Sequence, residues 1–127
     1  MKKIVSLLLV VVLVCIMATG AVFAAEPRWT NVVAIIPTIS DSSDIYGVTV
    51  TGVPGTSKIE CSVSLYKVGW FGTTSYVDGF SSTQYSQSGD FSDSASIGSG
   101  TYRMNVTLKV TANGYTETIN REYESSF

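Results

Sequence analysis

The stretch that decides the fold is GTYRMNVTLKV, residues 100–110. Its even-numbered positions from Tyr102 to Val110 are apolar, and the odd-numbered positions between them are polar. Successive side chains of a strand point to opposite faces, so this stretch predicts a strand with one buried face. Asn113 and Gly114 then suit a tight hairpin turn, and residues 115–119 alternate again as a returning strand. The pattern predicts an all-β domain.

The same kind of alternation, separated by turn residues, continues through the rest of the chain. Seven strands are predicted, over residues 29–40, 45–53, 58–68, 74–84, 90–97, 100–110 and 115–124. Pro37 lacks an amide donor, so we expect the first strand to be an edge strand with an irregularity near that proline. The alternation also slips at residues 66–68, which a bulge or the end of regular pairing would explain. We predict a single immunoglobulin-like sandwich of about seven antiparallel strands, with a small β-barrel as the alternative.

The first 24 residues are typical of a cleaved signal peptide. Lys2 and Lys3 precede an apolar run, and Val22 and Ala24 occupy the −3 and −1 places of a signal-peptidase site. The run is shorter than the roughly 20 residues of a permanent membrane anchor. We therefore predict a bacterial, secreted protein whose mature domain is residues 25–127 and which has no permanent membrane anchor.

Gly100-Thr101-Tyr102 resembles the tyrosine corner of immunoglobulin-like sandwiches, in which a tyrosine near the start of the sixth strand bonds the preceding connection. The resemblance implies a hydrogen bond from the Tyr102 hydroxyl to the backbone of residues 97–100. Met104 stands where antibody domains carry a cysteine, so their disulfide is absent. The chain also resembles small secreted bacterial proteins of uncharacterised function, through residues 27–31, 57–59 and 100–114; this second resemblance implies no activity.

Residue composition excludes several classes of chemistry. The chain has no histidine, which removes histidine-dependent nucleophilic catalysis and histidine metal ligands. Cleavage removes two of the eight basic residues and none of the ten acidic ones, which leaves a net charge of −4. No basic stripe is present, so we expect no nucleic-acid partner. Cys61 is the only cysteine after residue 24 and shares the phase of Ile59 and Val63, so we expect a buried structural thiol rather than a reactive one.

Acidic residues offer two further hypotheses. The pairs Asp41/Asp44 and Asp90/Asp93 have the oxygen ligands that Ca²⁺ prefers, but not the spacing of an EF-hand, so solvated turn residues are favoured. We expect no metal site and no cofactor. Two of the ten carboxylates could still act together in glycoside hydrolysis, although no motif singles out a pair.

The aromatics Trp70, Phe71 and Tyr76 lie in a glycine- and serine-rich segment with poor alternation. We favour packing of Trp70 and Phe71 over one end of the sandwich. The alternative is an exposed ligand-binding surface of Trp70, Phe71 and Tyr76.

Three function classes follow. The first, which we favour, is a non-enzymatic binding or interaction module for an extracellular glycan or protein. The second is a self-assembling structural extracellular protein whose edge strands pair with copies of itself. The third is a carboxylate-dependent hydrolase, which a cleft with two facing carboxylates would favour.

Overall fold

The computed structural model describes residues 29–127, and the predicted signal peptide over residues 1–24 lies outside them. Seven β-strands account for most of this part of the chain. They are β1 (Val32–Ser40), β2 (Ile45–Gly52), β3 (Thr56–Val68), β4 (Thr74–Gln84), β5 (Ser88–Ser94), β6 (Thr101–Ala112) and β7 (Tyr115–Ser126). A single turn of 3₁₀-helix at Trp70–Gly72 joins β3 to β4. Within residues 29–127 no helix has the length and apolar character needed to cross a membrane.

The strands form two antiparallel sheets that pack as an open sandwich. One sheet has the order β1-β2-β5 and the other has the order β4-β3-β6-β7. In a constant-type immunoglobulin sandwich the fourth strand belongs to the sheet of the first, second and fifth strands. Here β4 pairs with β3 instead, so the second sheet gains a strand. The predicted all-β sandwich of about seven strands is confirmed, and the barrel alternative is wrong.

The core follows the alternation that the sequence predicted. The inward side chains of β6, from Tyr102 to Val110, are buried, and so are the matching positions of β2 and β3. Asn113 and Gly114 both have positive φ angles, which this tight hairpin turn between β6 and β7 requires. β6 lies between β3 and β7, and its apolar face is buried from Tyr102 to Ala112.

The tyrosine corner is present. The hydroxyl of buried Tyr102 accepts a hydrogen bond from the amide of Gly98 at 3.0 Å. Ile97 is buried beside it, and the Ile97 amide donates to the Asp44 carboxylate at 3.0 Å. These bonds fasten the β5–β6 connection to the end of the sandwich.

Several strand details differ from the predictions. The irregularity in edge strand β1 falls between Val32 and Ala34, whereas Pro37 pairs in register with Val48. Proline is tolerated there because an edge strand can turn its donor-free nitrogen towards solvent. The fifth strand begins at Ser88 and ends at Ser94, so Ile97 is buried from a connection rather than from a strand.

Candidate functional site

The loop between β3 and β4 carries the most exposed aromatic side chains of the described residues. Trp70 is 86% exposed and Phe71 is fully exposed at 101%. The amide of Gly69 donates to the Thr73 carbonyl at 2.6 Å, and the Thr73 hydroxyl donates to the Trp70 carbonyl at 2.8 Å. These bonds close a compact loop that holds both rings outside the sandwich.

The expected packing of Trp70 and Phe71 over the end of the sandwich is therefore wrong. Tyr102 and Phe127 pack together at this end instead, with ring centroids 6.3 Å apart. The Lys67 ammonium lies 5.8 Å from the centroid of the same Tyr102 ring. Trp70 instead flanks a shallow depression that it shares with Lys67 and the β5–β6 connection at Ser99 and Gly100.

Phe71 adopts a backbone conformation that large side chains rarely take. Its φ and ψ angles are 58° and 27°, in the left-handed region, and Gly72 follows with a φ of 75°. A non-glycine residue in this region costs about 1–2 kcal/mol, and such strain is concentrated at functional sites. The loop thus maintains an unfavourable backbone conformation while it presents an apolar ring to solvent.

A bulge in β4 sets the direction of Tyr76. Leu65 pairs with Asp78 and Tyr66 pairs with Tyr76, so Val77 is an extra residue in β4. The predicted slip near residues 66–68 is thus a bulge, with the added residue on the partner strand. Paired residues share a face and Leu65 is buried, so Asp78 faces inward while Tyr76 faces outward. Tyr76 is consequently 63% exposed.

The ring of Tyr76 is supported from two sides. A side chain at Gly79 would place its Cβ only 2.7 Å from the Tyr76 hydroxyl, so the tyrosine lies over a position that has no side chain. Tyr66 packs against Tyr76 in an edge-to-face arrangement, with centroids 5.8 Å apart and planes at 75°. Tyr66 and Gly79 were not among the predicted site residues. The outward phase of Tyr66 on β3 is the sequence signal that points to it.

Polar side chains continue from Tyr76 along the outer face of β3 and β4. We call this surface the polar lane; its outward residues are Tyr66, Ser64, Ser62 and Glu60 on β3 and Tyr76, Gly79, Ser81 and Thr83 on β4. The Ser81 hydroxyl donates to the Ser62 hydroxyl across the two strands at 3.1 Å. A shallow depression of about 370 Å³ lies at this part of the lane, with Thr107 and Lys109 of β6 on its border.

Ion pairs border the lane. The Lys58 ammonium is 3.5 Å from the Glu60 carboxylate. On β6, Arg103 lies opposite Tyr66 and contacts the carboxylates of Glu122 and Glu124, each at 3.2 Å. The charges on this face are therefore compensated by neighbours on the same face.

Cys61 lies in the core, as its phase predicted. It is 3% exposed, and burial raises the pKa of its thiol to about 12. The thiolate, which is the reactive form, is therefore suppressed at neutral pH. The structure gives Cys61 a packing role on the inward face of β3.

Each acidic pair has a member with a structural partner. The Asp44 carboxylate accepts from the Ile97 amide, and Asp90 accepts from the Thr49 hydroxyl at 3.2 Å. Asp90 and Asp93 lie in β5 rather than in a turn, and their odd separation places them on opposite faces of that strand. Over residues 29–127 no group of three or more cysteine or acidic side chains is arranged to hold a metal ion.

Comparison with known proteins adds a distant structural likeness. No protein-family model matches the chain, and no curated protein matches it. A crystal structure of the β-glucuronidase of Parabacteroides merdae is similar over 76% of this chain, with 14% sequence identity and a TM-score of 0.36. The matched part is 13% of that enzyme's chain. A likeness this distant carries no argument about activity.

Proposed function

We propose that this chain is a secreted, non-enzymatic binding module that engages an extracellular glycan or protein through Trp70, Phe71 and Tyr76. We call these three residues the aromatic surface. The observation that carries the proposal is the near-complete exposure of Trp70 and Phe71 on a loop that is otherwise closed by hydrogen bonds. Secretion is part of the proposal, since it rests on the signal-peptide pattern of residues 1–24.

Burial of the exposed apolar area of Trp70 and Phe71 by a partner would contribute favourable free energy to binding. Full burial of one large apolar side chain is worth about 1.5–3 kcal/mol relative to exposure. Aromatic anchors at the centre of an interface supply most of its binding energy. A loop that presents Trp70 and Phe71 to water in a strained conformation thus retains apolar area that a partner would bury.

The experiment uses arrays of glycans and of extracellular proteins, probed with the mature protein. Trp70→Ala and Phe71→Ala should each abolish most of the binding while thermal unfolding stays unchanged, because neither ring supports the core. Tyr115→Ala is the matched control, since Tyr115 is 58% exposed at the opposite end of the sandwich and should leave binding intact. Full binding by both loop variants would refute the proposal.

A fluorescence measurement links binding to the loop directly. In a Trp29→Phe background, Trp70 is the only tryptophan of the mature chain. Acrylamide should quench it strongly in the free protein, and a bound array hit should protect it. An unchanged quenching constant on saturation with that hit would place the binding site elsewhere.

Edge strand β1 supports a second candidate, self-assembly. Val33 and Ile36 are 62% and 59% exposed on an edge strand without a charged residue, and such an edge can pair with another copy. Pro37 opposes this pairing by removing a donor at mid-strand. Sedimentation velocity over a wide concentration range separates the candidates, because self-assembly requires a concentration-dependent increase in mass that Ile36→Lys removes.

Three surface depressions among residues 29–127 do not support the hydrolase, because none of them contains two carboxylates. The depression at Ser62 and Ser81 has Glu60 as its one carboxylate, and a second depression on the outer face of β6 and β7 has only Glu122. The depression beside Trp70 has none. The proposal therefore does not include hydrolysis.

A further inference from the structure

The polar lane begins at an aromatic ring that is held in place before any ligand arrives. Tyr76 lies over Gly79 and against the edge of Tyr66 while most of its surface remains in solvent. A ring fixed in this way loses little conformational entropy when a flat apolar group stacks on it. The C–H face of a sugar ring is such a group.

Beyond Tyr76 the lane offers hydroxyl groups and no apolar anchor. The outward residues of β4 after the bulge are Gly79, Ser81 and Thr83, and those of β3 before Tyr66 are Glu60, Ser62 and Ser64. A protein partner would need a desolvated apolar centre along this strip, which these side chains cannot provide. Short hydroxyl side chains suit a ligand that is itself covered with hydroxyl groups, since each is both donor and acceptor.

The charge pattern favours a neutral ligand. Glu60 pairs with Lys58 and lies opposite Lys109, while Arg103 is held between two glutamates. Charges that are already compensated give little attraction to an acidic or a basic chain. The strip is also extended, because Tyr66 and Glu60 are six residues apart on β3, or about 20 Å at 3.4 Å per residue.

We propose that the polar lane binds a neutral polysaccharide chain that runs along β3 and β4. One sugar ring stacks on Tyr76, and the following units bond with hydroxyl groups around Ser62 and Ser81 in the depression. This inference rests on the proposed binding function, and it names the ligand class of the Tyr76 part of the aromatic surface.

The test is affinity electrophoresis of the mature protein in gels that contain soluble glucan, xylan, mannan or galactan. At least one polysaccharide should retard the wild-type protein. Tyr76→Ala should weaken that binding by about tenfold or more, which corresponds to about 1.4 kcal/mol. Ser81→Val should weaken it by about threefold, since it keeps a strand-forming side chain but loses the hydroxyl. Tyr115→Ala and Thr118→Val are controls outside the lane and should match the wild type.

A geometric variant tests the support of the ring. Gly79→Ala keeps every aromatic residue of the chain but puts a methyl group 2.7 Å from the Tyr76 hydroxyl oxygen, which must then move, so binding should fall as in Tyr76→Ala. The methyl group would also lie 3.0 Å from the Val63 carbonyl oxygen, so thermal unfolding is measured alongside. Where Gly79→Ala does not fold, Tyr76→Ala and Ser81→Val decide the question. Oligosaccharides of the retarding polysaccharide, titrated by calorimetry, should bind more tightly with length until about 20 Å is spanned.

The outcomes separate this inference from the proposed function. Absence of retardation in all four gels, or equal retardation of Tyr76→Ala and wild type, overturns the polysaccharide lane. If a protein hit on the array is lost in Trp70→Ala but kept in Tyr76→Ala and Ser81→Val, and no gel retards the protein, the lane is overturned and the proposed function stands. Unchanged array binding in Trp70→Ala and Phe71→Ala overturns the proposed loop, even where the polysaccharide result for Tyr76 holds.

Discussion

A hydrogen bond between the two sheets gives the sharpest stability prediction. Tyr46 on β2 is fully buried, and its hydroxyl donates to the Asp78 carboxylate on β4 at 2.7 Å. Its ring also packs against Phe80, with centroids 5.5 Å apart. Burial raises the pKa of the Tyr46 hydroxyl well above its ordinary value, and the bond to Asp78 raises it further. The tyrosine is therefore a neutral donor that holds edge strand β4 onto the opposite sheet.

Tyr46→Phe keeps the ring and removes only this bond. Hydrogen bonds to charged groups contribute about 1.5–3 kcal/mol, and Asp78 is half-buried, so water can partly replace the donor. We therefore expect Tyr46→Phe to lower the free energy of unfolding by about 1.5–2 kcal/mol, near the lower end of that range. Asp78→Ala should cost at least as much, because it leaves the fully buried hydroxyl of Tyr46 without an acceptor. The double variant should lose less than the sum of the two, with a coupling energy of about 1–2 kcal/mol.

Urea denaturation at pH 7, followed by far-UV circular dichroism, measures all four proteins. Tyr85→Phe is the control, because Tyr85 is 78% exposed and the loss of its hydroxyl should change stability by less than about 0.5 kcal/mol. A coupling energy within about 0.3 kcal/mol of zero would show that Tyr46 and Asp78 contribute independently. That result would refute the role of this bond in holding β4.

Two further predictions concern Tyr102 and Cys61. Tyr102→Phe should lower the free energy of unfolding by about 0.5–1.5 kcal/mol, because the hydrogen bond from the Gly98 amide disappears while the ring remains packed. This change corresponds to a Tm lower by about 2–8 °C. An unchanged Tm would remove the corner as a stabilising feature. For Cys61, a thiol reagent at pH 8 should label the protein only after denaturation, and rapid labelling of the folded protein would contradict its burial. Burial raises the pKa of this thiol from 9.0 to about 12, so the folded state keeps its proton where the unfolded state loses it. The stability that comes from this protonated thiol is complete below pH 9 and falls by about 1.4 kcal/mol per pH unit above it. Cys61→Ala should therefore flatten the decline in stability between pH 9 and 10.

The alternating pattern alone could predict the core because most inward positions of β2, β3 and β6 are apolar and most outward positions are polar. Burial of Tyr46, Cys61 and Met104 follows from that phase without knowledge of strand order. The corner at Tyr102 could also be predicted, since its bond reaches only four residues back along the chain. Local signals thus determine which face of each strand is buried.

The features that could not be predicted from the sequence depend on contacts between distant parts of the chain. Trp70 and Phe71 are exposed, while the aromatic pair at that end of the sandwich is formed by Tyr102 and Phe127, and Phe127 is over fifty residues away from the loop. The direction of Tyr76 depends on a bulge that becomes visible only in the pairing of β4 with β3. Strict alternation would have placed Tyr76 and Asp78 on the same face, whereas Asp78 faces Tyr46 in the core.

The place of β4 connects the fold to the proposed binding surface. Because β4 pairs with β3, the second sheet presents four adjacent strands on its outer face, and the polar lane lies on edge strand β4 and its neighbour β3. The bond from Tyr46 fixes β4 at Asp78, and the bulge begins at the next residue towards the loop, Val77. One side of the bulge is thus anchored in the core while the other directs Tyr76 into solvent. A variant that loosens the Tyr46–Asp78 bond should therefore weaken binding through Tyr76 as well as stability, although neither Tyr46 nor Asp78 belongs to the aromatic surface or the polar lane.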